Sequence, residues 1–364
     1  MFKKSIQVSI IALLFFILIP FVSINELQAM ESVSNSNRLI VDMSGRQVEL
    51  PAEIERIGCL FAFTGHTVAM LDRGNDIVAV VEGLKRDVLF TDMFPNISNA
   101  LVPSHASNLN IEELARADCD LLLIKGENAL NERYIAQLKQ IGVPYLVVKF
   151  QSIREHQQAI AMIGKAIHQE EEAKQFIQYY QNCIQRVQEK VDTIPLSERV
   201  TVFHSVNEAT RTDARNTIPA EWIEIAGAIN VSLDADLKFL DNKYFASLEQ
   251  ILLWDPEVIL VNQEHVDRYI LTNEQWANLQ AVQNNQVYKM PNGVSRWGHP
   301  NSLETPLAIL WTAKKLYPGL FVEIDMEKEV SYFYKHFYEW DLPVDYIEKI
   351  LSGNGMRLRK GDLE

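Results

Sequence analysis

The sequence predicts an α/β fold of two doubly wound, Rossmann-like lobes, each with a parallel-type sheet, bridged by one long α-helix. Three observations predict it. Short apolar runs alternate with helical patterns in both halves of the chain. A stretch without Pro, rich in Glu, Gln, Lys and Ala, separates the halves. "NIEELARADCDLLLI" (110–124) also aligns without a gap to "SLEQILLWDPEVILV" (247–261), so the two halves share a helix–strand unit.

In the first half, "RIGCLFAF", "DIVAVVE", "CDLLLIKG" and "PYLVVKF" read as strands. They are apolar without alternation, as expected of strands covered on both faces. "GHTVAMLDRG", "NIEELARA" and "LNERYIAQLKQIG" read as the helices between them. From Ser152 the pattern predicts two helices, the second over 170–191, with Pro195 beyond its end. In the second half "RVTVFHSV", "EVILVN" and "QVYKMP" are strands, while "PAEWIEIAGA", "SLEQILLWD", "NEQWANLQAV" and "TPLAILWTAKKLY" are helices. Thr305 and Pro306 form an N-cap and first-turn pair for the last of these, and Pro318 stops it. Phe333, Tyr334, Phe337 and Tyr338, near Trp340, share one helix face and read as core. The terminal "GNGMRLRKGDLE" reads as loosely ordered. The expected divisions are a leader over 1–29, lobes over 38–165 and 196–340, a connecting helix over 166–195, and a tail over 341–364.

The leader has Lys3 and Lys4, then fifteen mostly apolar residues, then a polar stretch, which is the pattern of a secretory signal ending near Ala29. No Cys follows the apolar run, so no lipid anchor is expected and the mature chain is read as free in the periplasm. The formal net charge is −14, and removing the leader's two Lys and one Glu makes it −15. Such a chain is a poor partner for nucleic acid, whose binding depends on neutralising phosphates. Cys59, Cys119 and Cys183 lie far apart with no CxxC pair, so neither a zinc nor a redox motif exists. The glycine-rich phosphate loops, the nucleophile elbow and the HExxH helix are also missing from the sequence. An enzyme is not expected.

Several pieces, taken in order, carry a resemblance. They are "VDMSGRQVELPAEIERIGCL", "LNIEELARADCDLLLI", "LKQIGVPYLVV", the helical connector, "IEIAGAINVS", "SLEQILLWDPEVILV", "WANLQAVQNNQVYKMPNG" and "LAILWTAKKLYPG". Over nearly the whole mature chain the sequence resembles the periplasmic substrate-binding proteins of iron–siderophore, haem and cobalamin ABC importers. The resemblance implies two α/β lobes joined by a long helix, and a ligand cleft between them. It implies no intrinsic cofactor, a metal chelate as cargo, a permease of the inner membrane as partner, and a monomer. It also implies that one Glu on each lobe docks on the permease, and the internal alignment assigns these as Glu112 and Glu249. Early in a helix, each acid also suits the helix dipole.

In open α/β sheets, ligands sit outside the carboxyl ends of the strands. The loops placed there are "AFTGHT", with Thr64 and His66; "HSVNEATRTDARNTIPAEW", with Asn207, Arg211, Arg215 and Trp222; and "NGVSRWGHPNS", with Arg296, Trp297 and His299. Arginine offers forked donors to anionic groups. Trp222 and Trp297 can stack on a flat chelate. His66 or His299 can complete a metal's coordination. The bland readings are surface pairing for Arg211 and Arg215, core packing for Trp222, and structural hydrogen bonding for the histidines. His105 and His204 are weaker candidates still. Two other functions remain open at this point: a binder of nickel or cobalt with small ligands, and a chelatase-like metal-handling enzyme, which would need a His–Glu pair in the cleft.

Overall fold

The structure, a computed structural model, describes residues 38–105 and 108–359. The leader lies outside the described residues. After a hairpin of β1 (Arg38–Val41) and β2 (Gln47–Leu50), the first lobe contains six strands: β3 (Ile57–Leu60), β4 (Ile77–Val81), β5 (Leu101–His105), β6 (Asn108–Leu109), β7 (Leu121–Lys125) and β8 (Tyr145–Val148). Their spatial order is β6-β5-β4-β3-β7-β8. All pairs are parallel except β5 with β6.

The second lobe has β9 (Thr201–Ser205), β10 (Arg211–Thr212), β11 (Ile229–Asn230), β12 (Lys238–Leu240), β13 (Lys243–Phe245), β14 (Val258–Val261) and β15 (Val287–Lys289). Four of them make a parallel sheet in the order β11-β9-β14-β15, and β10, β13 and β12 form a small antiparallel one. In β3 and β14 all four residues are buried, which is why these strands read as unbroken apolar runs. In each lobe the first parallel strand sits inside the sheet and the chain builds outward on both sides of it. The order reverses between β3 and β7, and again between β9 and β14, and such switch points open crevices at the carboxyl ends.

The helices used below are α1 (Ala62–Val68), α2 (Ile111–Ala117), α3 (Ile153–Ala166), α4 (Glu170–Val191), α5 (Ile218–Ile225), α6 (Leu248–Trp254), α7 (Thr305–Leu316), α8 (Met326–Phe337) and α9 (Val344–Ser352). The internal echo is structural. Asn110 caps α2 by accepting from Glu113 N–H, and Ser247 caps α6 by accepting from Gln250 N–H. Asp118 and Asp255 end the two helices in the left-handed conformation, with φ of 50° and 40°.

Helix α4 has 22 residues, a length of about 33 Å at 1.5 Å per residue. Three Glu open it and Lys190 lies in its last turn, both favourable to the helix dipole. Ala173, Phe176, Tyr180, Cys183, Val187 and Val191 recur at three- and four-residue spacing and are buried, with α3 and α7 packed alongside α4. Phe176 meets Phe333 and Phe337 of α8 at 6.2 and 5.1 Å between ring centres, so the aromatic stripe is core, as expected. Cys59, Cys119 and Cys183 are all free thiols and buried.

Three sequence expectations need correction. Helix α1 begins at Ala62, directly after β3, so Thr64 and His66 lie within a helix and not on a loop. Glu304, not Thr305, takes the N-cap position of α7, and Pro306 falls within its first two residues. Residues 353–359 of the terminal segment are not loose, since Val88 N–H donates to Met356 O at 3.1 Å and Leu358 N–H donates to Arg86 O at 2.8 Å, while 360–364 lie outside the described residues.

Candidate functional site

The loops leaving β9, β14 and β15 converge on one side chain. Arg296, in the loop after β15, donates through Nη1 to Asn207 Oδ1 at 2.9 Å and to Gln263 Oε1. Asn207 follows β9 and Gln263 follows β14, so the guanidinium sits across the switch point of the second lobe. Burial, together with the positive charges of Arg211 and Arg86, lowers the Arg296 guanidinium to about 10. Arg211, on β10, is itself mostly buried and lies 3.6 Å from the Glu208 carboxylate. Arg86 belongs to the first lobe, in the turn beyond the carboxyl end of β4, 3.9 Å from Glu82. Three guanidiniums from two lobes therefore share one neighbourhood, although the chain as a whole is acidic.

His299 completes this cluster. Its Nδ1 accepts from Asn301 N–H at 3.3 Å. Burial first, then Arg296, Arg211, Lys125 and His204, hold its imidazole well below the usual range, so it is neutral. A neutral imidazole within reach of the Arg296 and Arg211 charges can donate or accept a hydrogen bond without adding charge.

The loop is pinned from beneath. The Glu304 carboxylate is fully buried. It accepts from Ser295 N–H at 2.8 Å, Ser295 Oγ at 3.0 Å, Trp297 Nε1 at 3.0 Å and the Tyr334 hydroxyl. A Cβ on Gly293 would collide with Glu304 and Tyr334, so only glycine lets the loop lie this close. Gly298 is equally constrained, since a Cβ there would stand 2.8 Å from His204 Nε2. His204 Nδ1 in turn pairs with Asp213 Oδ2 at 2.6 Å.

Of the residues singled out in the sequence, Asn207, Arg211, Arg296 and His299 come together here. The others do not. Trp297 and Trp222 are both fully buried, Trp297 as a Glu304 donor and Trp222 against the His204 ring at 5.5 Å, so neither offers a ring face to a ligand. Arg215 is half exposed and engaged in a forked pair with Asp234 at 2.6 and 2.7 Å. Thr64 is fully buried and donates to Phe61 O at 2.7 Å, within its own helix turn. His66 is buried, with Nε2 3.2 Å from Asp87 Oδ2. Among the described residues, no group of three or more His, Cys, Asp or Glu is placed to hold a metal ion.

Arg86 and Gln263 carry no expectation from the sequence, and Glu304 carries none beyond a helix-capping role. Arg86 sits in "GLKRDV", where nothing in the local pattern distinguishes it from a solvated helix end. Glu304 had a readable signal, an acid just before an apolar helix, but that reads equally as a first-turn acid.

Two α/β lobes with reversed strand order, and a buried arginine at the strand ends of one that feels the charge of an arginine of the other, define a two-lobed ligand-binding protein. The chain belongs to the periplasmic binding protein family, whose profile matches residues 59–293. It is 25% identical over 327 residues to the molybdate-binding protein MolA of Haemophilus influenzae, covering 83% of this chain and 91% of that one. It is 25% identical over 291 residues to the ABC transporter substrate-binding lipoprotein YvrC of Bacillus subtilis, covering 78% of this chain and 87% of that one. The structure of MolA bound to molybdate superposes with a TM-score of 0.75 at 24% identity, over 84% of this chain and 99% of that one. These relatives are substrate-binding proteins of ABC transporters, not enzymes, and the chelatase-like reading falls away.

Proposed function

We propose that this protein is the exported, monomeric substrate-binding component of an ABC importer, and that its cargo is a small anionic metal species, with no resident cofactor. One observation carries the reading: the charges of Arg211 and of Arg86, from the other lobe, both act on the buried Arg296 at the strand ends. Guanidiniums within electrostatic range repel one another, and a bound anion with several oxygens relieves that repulsion while using their forked donors. The neutral His299 and the amides of Asn207 and Gln263 supply further polar contacts without cost in charge.

Within anionic cargoes, a compact metal oxyanion fits better than the planar haem or corrinoid expected from the sequence resemblance. Flat macrocycles call for exposed ring faces, and Trp222 and Trp297 are both buried. The molybdate bound by MolA is of the compact class. An anionic ferric siderophore or other carboxylate-bearing chelate is the second reading, favoured by the same arginines. A cationic nickel or cobalt species is disfavoured by them.

Glu112 and Glu249 are both exposed, in the first turns of α2 and α6, at matched positions on the two lobes. That placement supports their role as the docking pair for the permease. Purifying the protein from its native host and analysing bound metal by mass spectrometry tests the cargo, alongside calorimetric titration with molybdate, ferric citrate, haem and nickel–histidine. Tight binding of a cationic species with no response to any anion overturns the reading.

A further inference from the structure

The chain's last described segment crosses between the lobes. Helix α9 belongs to the second lobe, where Asn292 N–H donates to Ile350 O at 3.0 Å and Lys289 reaches Asn354. Gly353 turns the chain with a φ of +68°, against the carbonyl of Met290. The segment then pairs antiparallel with the first lobe, Arg357 facing Asp87, with one backbone hydrogen bond on each side of that pair. Arg359 finally returns to the second lobe, 3.2 Å from His265 Nε2. His265 follows β14, at the cleft end of its sheet.

The pair at the centre is electrostatically closed. Asp87 is buried, and its two oxygens meet the Arg357 guanidinium and His66 Nε2. Burial, and then the Arg357 charge, push the His66 imidazole down to about 3, so it contributes a hydrogen bond and no charge. Only Arg357 neutralises the Asp87 carboxylate at this contact. Peeling the segment away leaves a buried carboxylate without a counter-charge, which is strongly unfavourable. The same segment holds the Arg86 carbonyl, and Arg86 is the first lobe's contribution to the basic cleft.

We propose that residues 354–359 are a latch that ties the two lobes together across the cleft and releases as a unit when the lobes open. This rests on the cleft being the cargo site, and it adds a buried ion pair to the ties between the lobes beyond the connecting helix. The end of α8 and α9 also touch the first lobe, where the Tyr338 hydroxyl donates to His66 O at 3.5 Å and the Tyr346 hydroxyl donates to Asp92 Oδ2, so the latch reinforces a seam that must part when the lobes open.

Residues 87 and 357 face each other as a non-hydrogen-bonded antiparallel pair, for which Cα atoms lie about 4.5 Å apart, within disulfide reach. The test is Asp87→Cys combined with Arg357→Cys, studied oxidised and reduced, beside wild type and Arg357→Ala. Cys59, Cys119 and Cys183 are buried, so oxidation addresses the new pair. Small-angle scattering without cargo should give the smallest radius of gyration for the oxidised form. Arg357→Ala and the reduced form should be larger by roughly 1 Å or more, on a radius of about 20 Å for a chain of this size. Equal radii in the oxidised and reduced forms would overturn the latch. Should Arg357→Ala unfold, the oxidised and reduced forms still decide, because they differ only in the S–S bond. Titration of the same samples with sodium molybdate reads the cargo separately. Failure of every form to bind it counts against the oxyanion and leaves the scattering result standing.

Discussion

The indole N–H of Trp297 donates to Glu304 Oε1 at 3.0 Å, inside the core beneath the loop that carries Arg296. The bond makes Trp297 a support for the site and not a wall of it. Trp297→Phe should keep most of the packing and remove one donor from a buried carboxylate, at about 1–3 kcal/mol of stability. Trp297→Ala should cost about 3–5 kcal/mol through the cavity it leaves. Urea unfolding measures both. A stable Trp297→Ala protein that has lost only cargo affinity would return Trp297 to the cleft wall.

Arg296 and Arg215 make a sharper contrast. Arg296 is largely withdrawn from solvent and held by two amide oxygens in the cleft. Arg215 is exposed and satisfied by Asp234. Arg296→Ala should weaken binding of the anionic cargo by about 2–5 kcal/mol, the range for a lost partner in a buried charged contact. Arg296→Lys should recover only part of it, because lysine lacks the planar fork. Arg215→Ala should leave affinity unchanged. Calorimetry with the identified cargo checks all three, and a larger loss at Arg215 than at Arg296 would displace the site.

The lobes were legible because parallel strands covered on both faces have no polar alternation, so β14 reads simply as "VILV". Connector α4 was legible for the opposite reason, a clean amphipathic period over a Pro-free stretch. The site was legible only as far as topology reaches. Strand-end position led to Asn207, Arg211, Arg296 and His299, and also to Trp222, whose burial depends on His204 packing from another element. Thr64 and His66 were misplaced because β3 runs into α1 through Phe61 alone, leaving no loop. Arg86, Gln263 and Arg357 carry no local signal, since each gains its role from a partner far along the chain.

Glu112 and Glu249 share an exposed first-turn position on the two lobes, yet neither lies among the cleft residues. Replacing both by Ala should leave cargo affinity intact and abolish uptake by cells that depend on this protein. Each single replacement should give partial uptake, because one lobe remains anchored. Radiolabelled or isotope-traced uptake, paired with calorimetry, separates the two effects. Normal uptake by the double variant would reject the docking assignment.

His156 on α3 should make the fold acid-sensitive. It is fully buried in a cage of Phe63, Phe150 and Tyr180, at 4.8, 4.7 and 6.0 Å between ring centres. Neither ring nitrogen has a hydrogen-bond partner in the structure. Burial alone lowers its pKa from 6.5 to about 3, so the imidazole is neutral when folded and takes up a proton when unfolded. A depressed histidine contributes stability that is fully present above pH 6.5 and is lost as pH falls toward 3. The slope is about 1.4 kcal/mol per pH unit for one proton. His66 adds to the same trend through its own lowered value. His156→Leu, close in volume and without polar atoms, should therefore gain stability relative to wild type, and the gain should widen between pH 7 and pH 5. Denaturant midpoints across that window measure it. A difference between the two proteins that is constant with pH would mean that His156 is hydrated or paired and carries no such penalty.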